Sequence, residues 1–147
     1  MPRGFTLIEM VVVIGIMAIV AGLGATVSFT FLRGQRLQSA AEMIMAEALR
    51  AQIDAYTQAG DKAHGIKVLS DSVVRFVGSS YAGRTVAQDE VDTFPGSITV
   101  SGLSEWDFAA ASFYPGTAGT MTLSDGDQSY DLSISSYGLV EIAKSAD

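Results

Sequence analysis

Glu9 is an acid at the head of an uninterrupted apolar run, since no charged side chain occurs from Met10 to Leu32. Those 23 residues would form a helix of roughly 35 Å, against a hydrocarbon core of about 30 Å. An ionised carboxylate in such a segment costs on the order of 2.5–3.5 kcal/mol near the bilayer centre and less towards a helix end. Its natural counter-charge is an amine. A cut between Gly4 and Phe5 would create a protonated α-amine one helical turn from Glu9, on the same chain or on a neighbour. In a low dielectric such a pair is strong and either member is costly alone, which selects one register between packed helices. A carboxylate that snorkels to the headgroups, or one protonated in place, is the alternative reading.

Gly4-Phe5-Thr6-Leu7-Ile8-Glu9, the short basic leader before it and the apolar run after it together resemble the class III signal of type IV pilins and pseudopilins. The resemblance implies a prepilin peptidase that cuts after Gly4 and N-methylates Phe5. It also implies that Glu9 aligns an incoming subunit with the terminal amine of its neighbour. The partners that follow are the peptidase, other pilin or pseudopilin subunits, the inner-membrane assembly platform and the lipid bilayer. A secretory signal peptide is the rival, and Ala18 to Ala25 offers small residues for its cleavage. That reading leaves Glu9 unexplained within the apolar region. Arg3 precedes the run while Arg33 and Arg36 follow it, so charge bias does not set orientation. The resemblance does, with the C-terminal portion outside the inner membrane and later in a pilus or pseudopilus.

The helix that carries Glu9 is expected to continue. Leu37, Ala41, Ile44, Ala48, Ala51 and Ala55 recur at spacings of three and four, with Arg36, Glu47, Arg50 and Asp54 largely elsewhere. Glu47 and Arg50 stand at i,i+3, a weak surface pair worth about 0.2–0.5 kcal/mol. Gly60-Asp61 supplies a stop. Ala18-x-x-x-Gly22 is a small-xxx-small spacing suited to close helix approach. The expected organisation is a leader at 1–4, a transmembrane and assembly half of the helix at 5–32, an amphipathic half at 33–60 and an extracytoplasmic β domain at 61–147.

Strands are expected at Ile66–Leu69, Val73–Val77, Ser97–Ser101, Ala109–Tyr114, Thr120–Leu123, Tyr130–Ile134 and Leu139–Ile142, with Ser124-Asp125-Gly126-Asp127 as a hairpin turn. Tyr81 to Thr93 reads as an exposed polar loop. One helix followed by strands gives an α+β fold, an antiparallel sheet packed on the second half of the helix. The run from Phe113-Tyr114-Pro115-Gly116 through the hairpin to Gly138-Leu139-Val140-Glu141-Ile142 more loosely resembles the end of the GspH/FimT minor pseudopilin family.

Composition narrows what else the chain does. Its net charge of −7 becomes −8 without Arg3, which disfavours nonspecific contact with nucleic acid or anionic lipid. Arg75 and Arg84 look isolated, so no nucleic-acid partner is expected. With no cysteine, stability must come from packing or assembly. Serine, aspartate and histidine are present without triad spacing or a nucleophile elbow, so no catalytic residue, cofactor or enzyme activity is expected. His64 reads as a surface loop residue. Asp125, Asp127 and Asp131 read as a turn without a metal. Trp106 is either a core anchor or an interface aromatic. The expected function is a structural subunit of a type IV pilus or type II secretion pseudopilus, a minor one. The alternatives are a major pilin, a membrane-anchored binding module that never polymerises, or an exported enzyme domain on a signal anchor.

Overall fold

The computed structural model describes residues 5–57, 59–94, 96 and 98–145, the side chains of 23–33 excepted. It is α+β: one helix, α1 (Leu7–Tyr56, 50 residues), then eight strands. The chain divides into two compact units, 1–34 and 35–147.

The first unit is helical from Leu7, and its large apolar side chains from Phe5 to Val20 stand exposed. Among the described residues no helix is long and apolar enough to cross a membrane. The described apolar side chains after Glu9 run from Met10 to Gly22, about 20 Å of helix. The remainder of the transmembrane stretch expected at 5–32 lies outside the described side chains.

In the second unit every apolar position expected on the helix face, Leu37, Ala41, Ile44, Ala48, Ala51 and Ala55, is buried. Four of the six are alanines. α1 ends at Tyr56, and a 3₁₀ turn at Ala59–Asp61 follows, with Gly60 at φ 69°. That conformation favours glycine, which is the physical content of the stop signal.

Two four-stranded antiparallel sheets face this helix where one was expected. The strands are β1 (His64–Val68), β2 (Ser72–Val77), β3 (Glu90–Thr93), β4 (Thr99–Gly102), β5 (Glu105–Phe108), β6 (Gly119–Ser124), β7 (Ser129–Ile134) and β8 (Val140–Lys144). The sheet orders are β3-β2-β1-β5 and β4-β6-β7-β8. Ile66, Val73, Trp106 and Phe108 of the first sheet join Met121, Leu123 and Leu132 of the second in one core with the helix. The β6–β7 hairpin turns at Asp125-Gly126 as expected, with Gly126 at φ 97°.

Three strand expectations need correction. Ala109–Tyr114 is not a strand: Ala111 sits at φ 60°, and its N–H donates to the Ala55 carbonyl at 2.8 Å. Glu90–Thr93, expected in a loop, is edge strand β3, exposed throughout, so no apolar alternation announced it. Strand β5 was missed, although Glu105-Trp106-Asp107-Phe108 alternates charged and aromatic residues with the period of a strand. Trp106 is a core anchor, wholly buried and paired with Ile66.

On β5, burial and then the neighbouring Glu105 charge hold the Asp107 carboxyl above its ordinary range. The folded state therefore binds this proton more tightly than the unfolded state, and ionisation opposes folding at neutral pH. The penalty vanishes as the pH drops below the unfolded value near 4. Asp107→Asn should raise the thermal midpoint by about 1–2 °C at pH 7 and leave it unchanged near pH 3. Scanning calorimetry at both pH values checks this, and a lowered midpoint at pH 7 would contradict it.

Candidate functional site

The first turn of α1 holds the acid singled out in the sequence. Thr6 is the N-cap and Glu9 the third helical residue. The Thr6 N–H and the Thr6 Oγ1 hydroxyl both donate to Glu9 Oε2 at 2.9 Å, and the Glu9 N–H donates back to Thr6 Oγ1 at 3.3 Å. This is a capping box, in which two orphan backbone donors of the helix start are satisfied reciprocally. Thr6-x-x-Glu9 before an apolar run is the sequence signal for it, a signal that the charge of Glu9 masks. A carboxylate here also meets the positive end of the helix dipole. Both Thr6 bonds use one oxygen, so the group retains a second acceptor atom. Phe5 is 83% exposed immediately before the cap. Gly4 lies outside the described residues.

The second unit corrects several other readings. His64 is not in a surface loop. It opens β1, is buried between Val77 and Phe108 on the flanking strands, and donates from Nε2 to the Ala59 carbonyl at 2.9 Å. The next residue, Gly65, admits a close approach, because a Cβ there would lie 2.5 Å from the Phe76 ring and 2.6 Å from the Trp106 carbonyl oxygen. A carbonyl oxygen only accepts, so Nε2 carries the proton; Nδ1 is buried with no partner among the described residues.

The expected Glu47–Arg50 pair forms, but its carboxylate is not on the surface. Glu47 is 3% exposed and bound by both Arg50 and Arg75. Ile66, Arg75 and Glu90 are successive cross-strand partners on one sheet face. Arg75 there gathers Glu47 at 3.1 Å, Asp54 and Glu90. Arg84 pairs with Asp89 at 2.8 Å and lies 3.7 Å over the Tyr81 ring. Neither arginine is isolated, and both guanidinium groups are committed to carboxylates. A cavity of about 560 Å³ borders this cluster, with Asp54, His64, Arg75 and Asp89 among its walls.

Asp125 is used by its own turn, its Oδ1 accepting from the Asp127 and Gln128 N–H groups at 3.0 and 2.9 Å. Asp131 accepts from the Thr122 hydroxyl at 2.7 Å. Among the described residues no three histidine or acidic side chains converge as a metal site.

A second concavity, of about 530 Å³, lies between the end of α1 and the 111–114 and 137–139 loops. Sequence reading did not find it, because its residues come from three separate segments.

No curated protein and no solved structure matches the chain. Residues 2–25 match the prokaryotic N-terminal methylation motif, and the chain thus carries at its N-terminus the class III signal of type IV pilins and pseudopilins.

Proposed function

We propose that this chain is a non-enzymatic structural subunit, a minor one, of a type IV pilus or a type II secretion pseudopilus. The observation that carries the reading is the methylation motif at residues 2–25, with Glu9 in the first turn of a 50-residue helix. In this reading a prepilin peptidase cuts after Gly4 and methylates Phe5. The subunit waits in the inner membrane with its β domain outside. Exposed apolar side chains from Phe5 to Val20 support it, because a surface of that kind calls for lipid or other helices to cover it. The 5–32 segment then leaves lipid for a bundle of like helices, where Glu9 meets the amine of a neighbour. The minor-subunit assignment rests on the looser GspH/FimT resemblance of the C-terminal hairpin order.

Mass spectrometry of sheared surface fibres against the membrane fraction tests the reading. A methylated peptide starting at Phe5, at trace level in fibres or confined to the membrane, is expected. The same peptide abundant in fibres would make this a major pilin, and an intact Met1 terminus would overturn the proposal. Gly4→Leu should leave essentially all of the protein as uncut precursor, because the peptidase needs a small residue there. Complete cleavage of that variant would remove the processing argument.

A further inference from the structure

The groove at the end of α1 holds aromatic rings in water. Tyr56, Phe113, Tyr114, Tyr137 and Leu139 are all exposed, Tyr137 to 81%. Scattered apolar side chains on a surface need no explanation, but a contiguous cluster around a concavity does.

These rings are held in place by buried polar chemistry. Gln52, almost fully buried on α1, donates both hydrogens of its amide, one to the Phe113 carbonyl at 2.7 Å and one to the Gly138 carbonyl at 2.9 Å. One side chain thereby fixes both loops to the helix. Gly138 sits at φ 80°, and a Cβ there would run into the Gln52 amide and the Phe113 carbonyl. Ala111 is held at the left-handed φ of 60°, strain that persists only where the surroundings over-determine it. Tyr56 and Phe113 stack face to face with centroids 3.8 Å apart, so each covers one face of the other and keeps its outer face.

The groove's chemistry selects its ligand. None of its lining residues is charged, in a chain of net charge −7, so neither an anion nor a cation has a counter-charge there. The Phe113 and Gly138 carbonyls are already taken by Gln52, which leaves an extended peptide few backbone groups to pair with. Ring faces remain, together with three phenolic hydroxyls that have no hydrogen-bond partner among the described residues; the Ser112 hydroxyl is held by the Tyr114 backbone, donating to its carbonyl at 3.4 Å and accepting from its N–H at 3.0 Å. A pyranose presents the complement: a C–H face to lie on a ring, and hydroxyls at its rim to exchange hydrogen bonds with phenols. The cavity beside Arg75 offers no such opening, because its arginine is already bound by three carboxylates.

We propose that the groove between Tyr56, Phe113, Tyr114 and Tyr137 is a binding site for a neutral saccharide. The site lies wholly in the second unit and does not depend on filament assembly or on N-terminal processing.

The test uses the full chain in a detergent without a sugar headgroup, because a glycoside detergent would compete for the groove. Saturation-transfer NMR is run with lactose, cellobiose, maltose and diacetylchitobiose. At least one is expected to bind, with its ring C–H protons receiving the strongest transfer. Tyr114→Ser and Tyr137→Ser should each weaken that binding about 5- to 10-fold. Both side chains are exposed, and unchanged emission from buried Trp106 reports that the fold is intact. No transfer to any of the four sugars at about 10 mM, transfer that survives in the double variant, or capture of a proline-rich peptide in place of every sugar would each overturn the proposal.

Discussion

Arg75→Ala should cost about 3–5 kcal/mol of folding free energy, a large share of the total stability of a domain this size. The magnitude depends on which of the three partners is left behind. Glu90 is 66% exposed, and its pair is worth at most about 1 kcal/mol. Glu47 is buried on the helix face that packs on the strands. Without Arg75 it retains only Arg50, whose side chain is 63% exposed. A buried carboxylate with half its compensation removed sets the penalty. Removing both charges as Glu47→Gln with Arg75→Met should recover most of it, because an uncharged pair of similar volume leaves nothing to desolvate. Urea unfolding followed by Trp106 fluorescence measures both variants, and a loss under about 1 kcal/mol for Arg75→Ala would show the cluster to be ornamental. An alkaline titration would not serve. Burial draws the Arg75 pKa down, but Glu90, Asp54 and Glu47 outweigh it and raise it above its ordinary value. A raised cation contributes fully below its unfolded pKa, so raising the pH within the accessible range does not remove this contribution.

Glu9→Ala should yield a processed subunit that fails to enter the filament, a loss of incorporation of at least about tenfold, since one charge pair in an apolar setting exceeds 1.4 kcal/mol. The capping box complicates the reading of that variant, because alanine removes a cap as well as a charge. A lost cap costs about 1 kcal/mol, small for a helix of 50 residues. Two further variants separate the roles. Glu9→Gln keeps an oxygen for the Thr6 N–H and hydroxyl but removes the charge, and should fail like Glu9→Ala. Thr6→Ala keeps the charge, removes the cap and should still assemble. Immunoblots of sheared fibres against membranes read all three. Normal incorporation of Glu9→Gln would reduce Glu9 to a capping residue.

The legible parts of this chain were those with a period. Leu37 to Ala55 repeats every three or four residues, and each position is buried as the pattern requires. The β6–β7 hairpin announced itself by Asp125-Gly126 between alternating segments. Edge strand β3 is exposed on every residue, so burial left no imprint on its composition. His64 looked like a loop residue because Gly65 beside it usually marks a turn; here the glycine serves a close approach to Trp106. The Arg75 cluster joins a helix to two strands, and one chain read in order does not place residues 47, 54, 75 and 90 together. At the N-terminus the apolar run, the glycine and the acid were all local, so that site was the easiest to find. Its capping bonds were equally local and were obscured by a more conspicuous charge.

Gln52 makes the position of two loops a matter of helical register. A slip of one residue along α1 turns a side chain through about 100° and shifts it by about 1.5 Å, which would carry the carboxamide away from the Phe113 and Gly138 carbonyls together. Over- or underwinding of the second half of the helix would remove both Gln52 bonds at once, leaving the first loop on its Ala111 N–H to Ala55 carbonyl bond and the second on its own Ser135 bonds. The spacing between the two walls of the aromatic groove is thus tied to the pitch of the helix at residue 52.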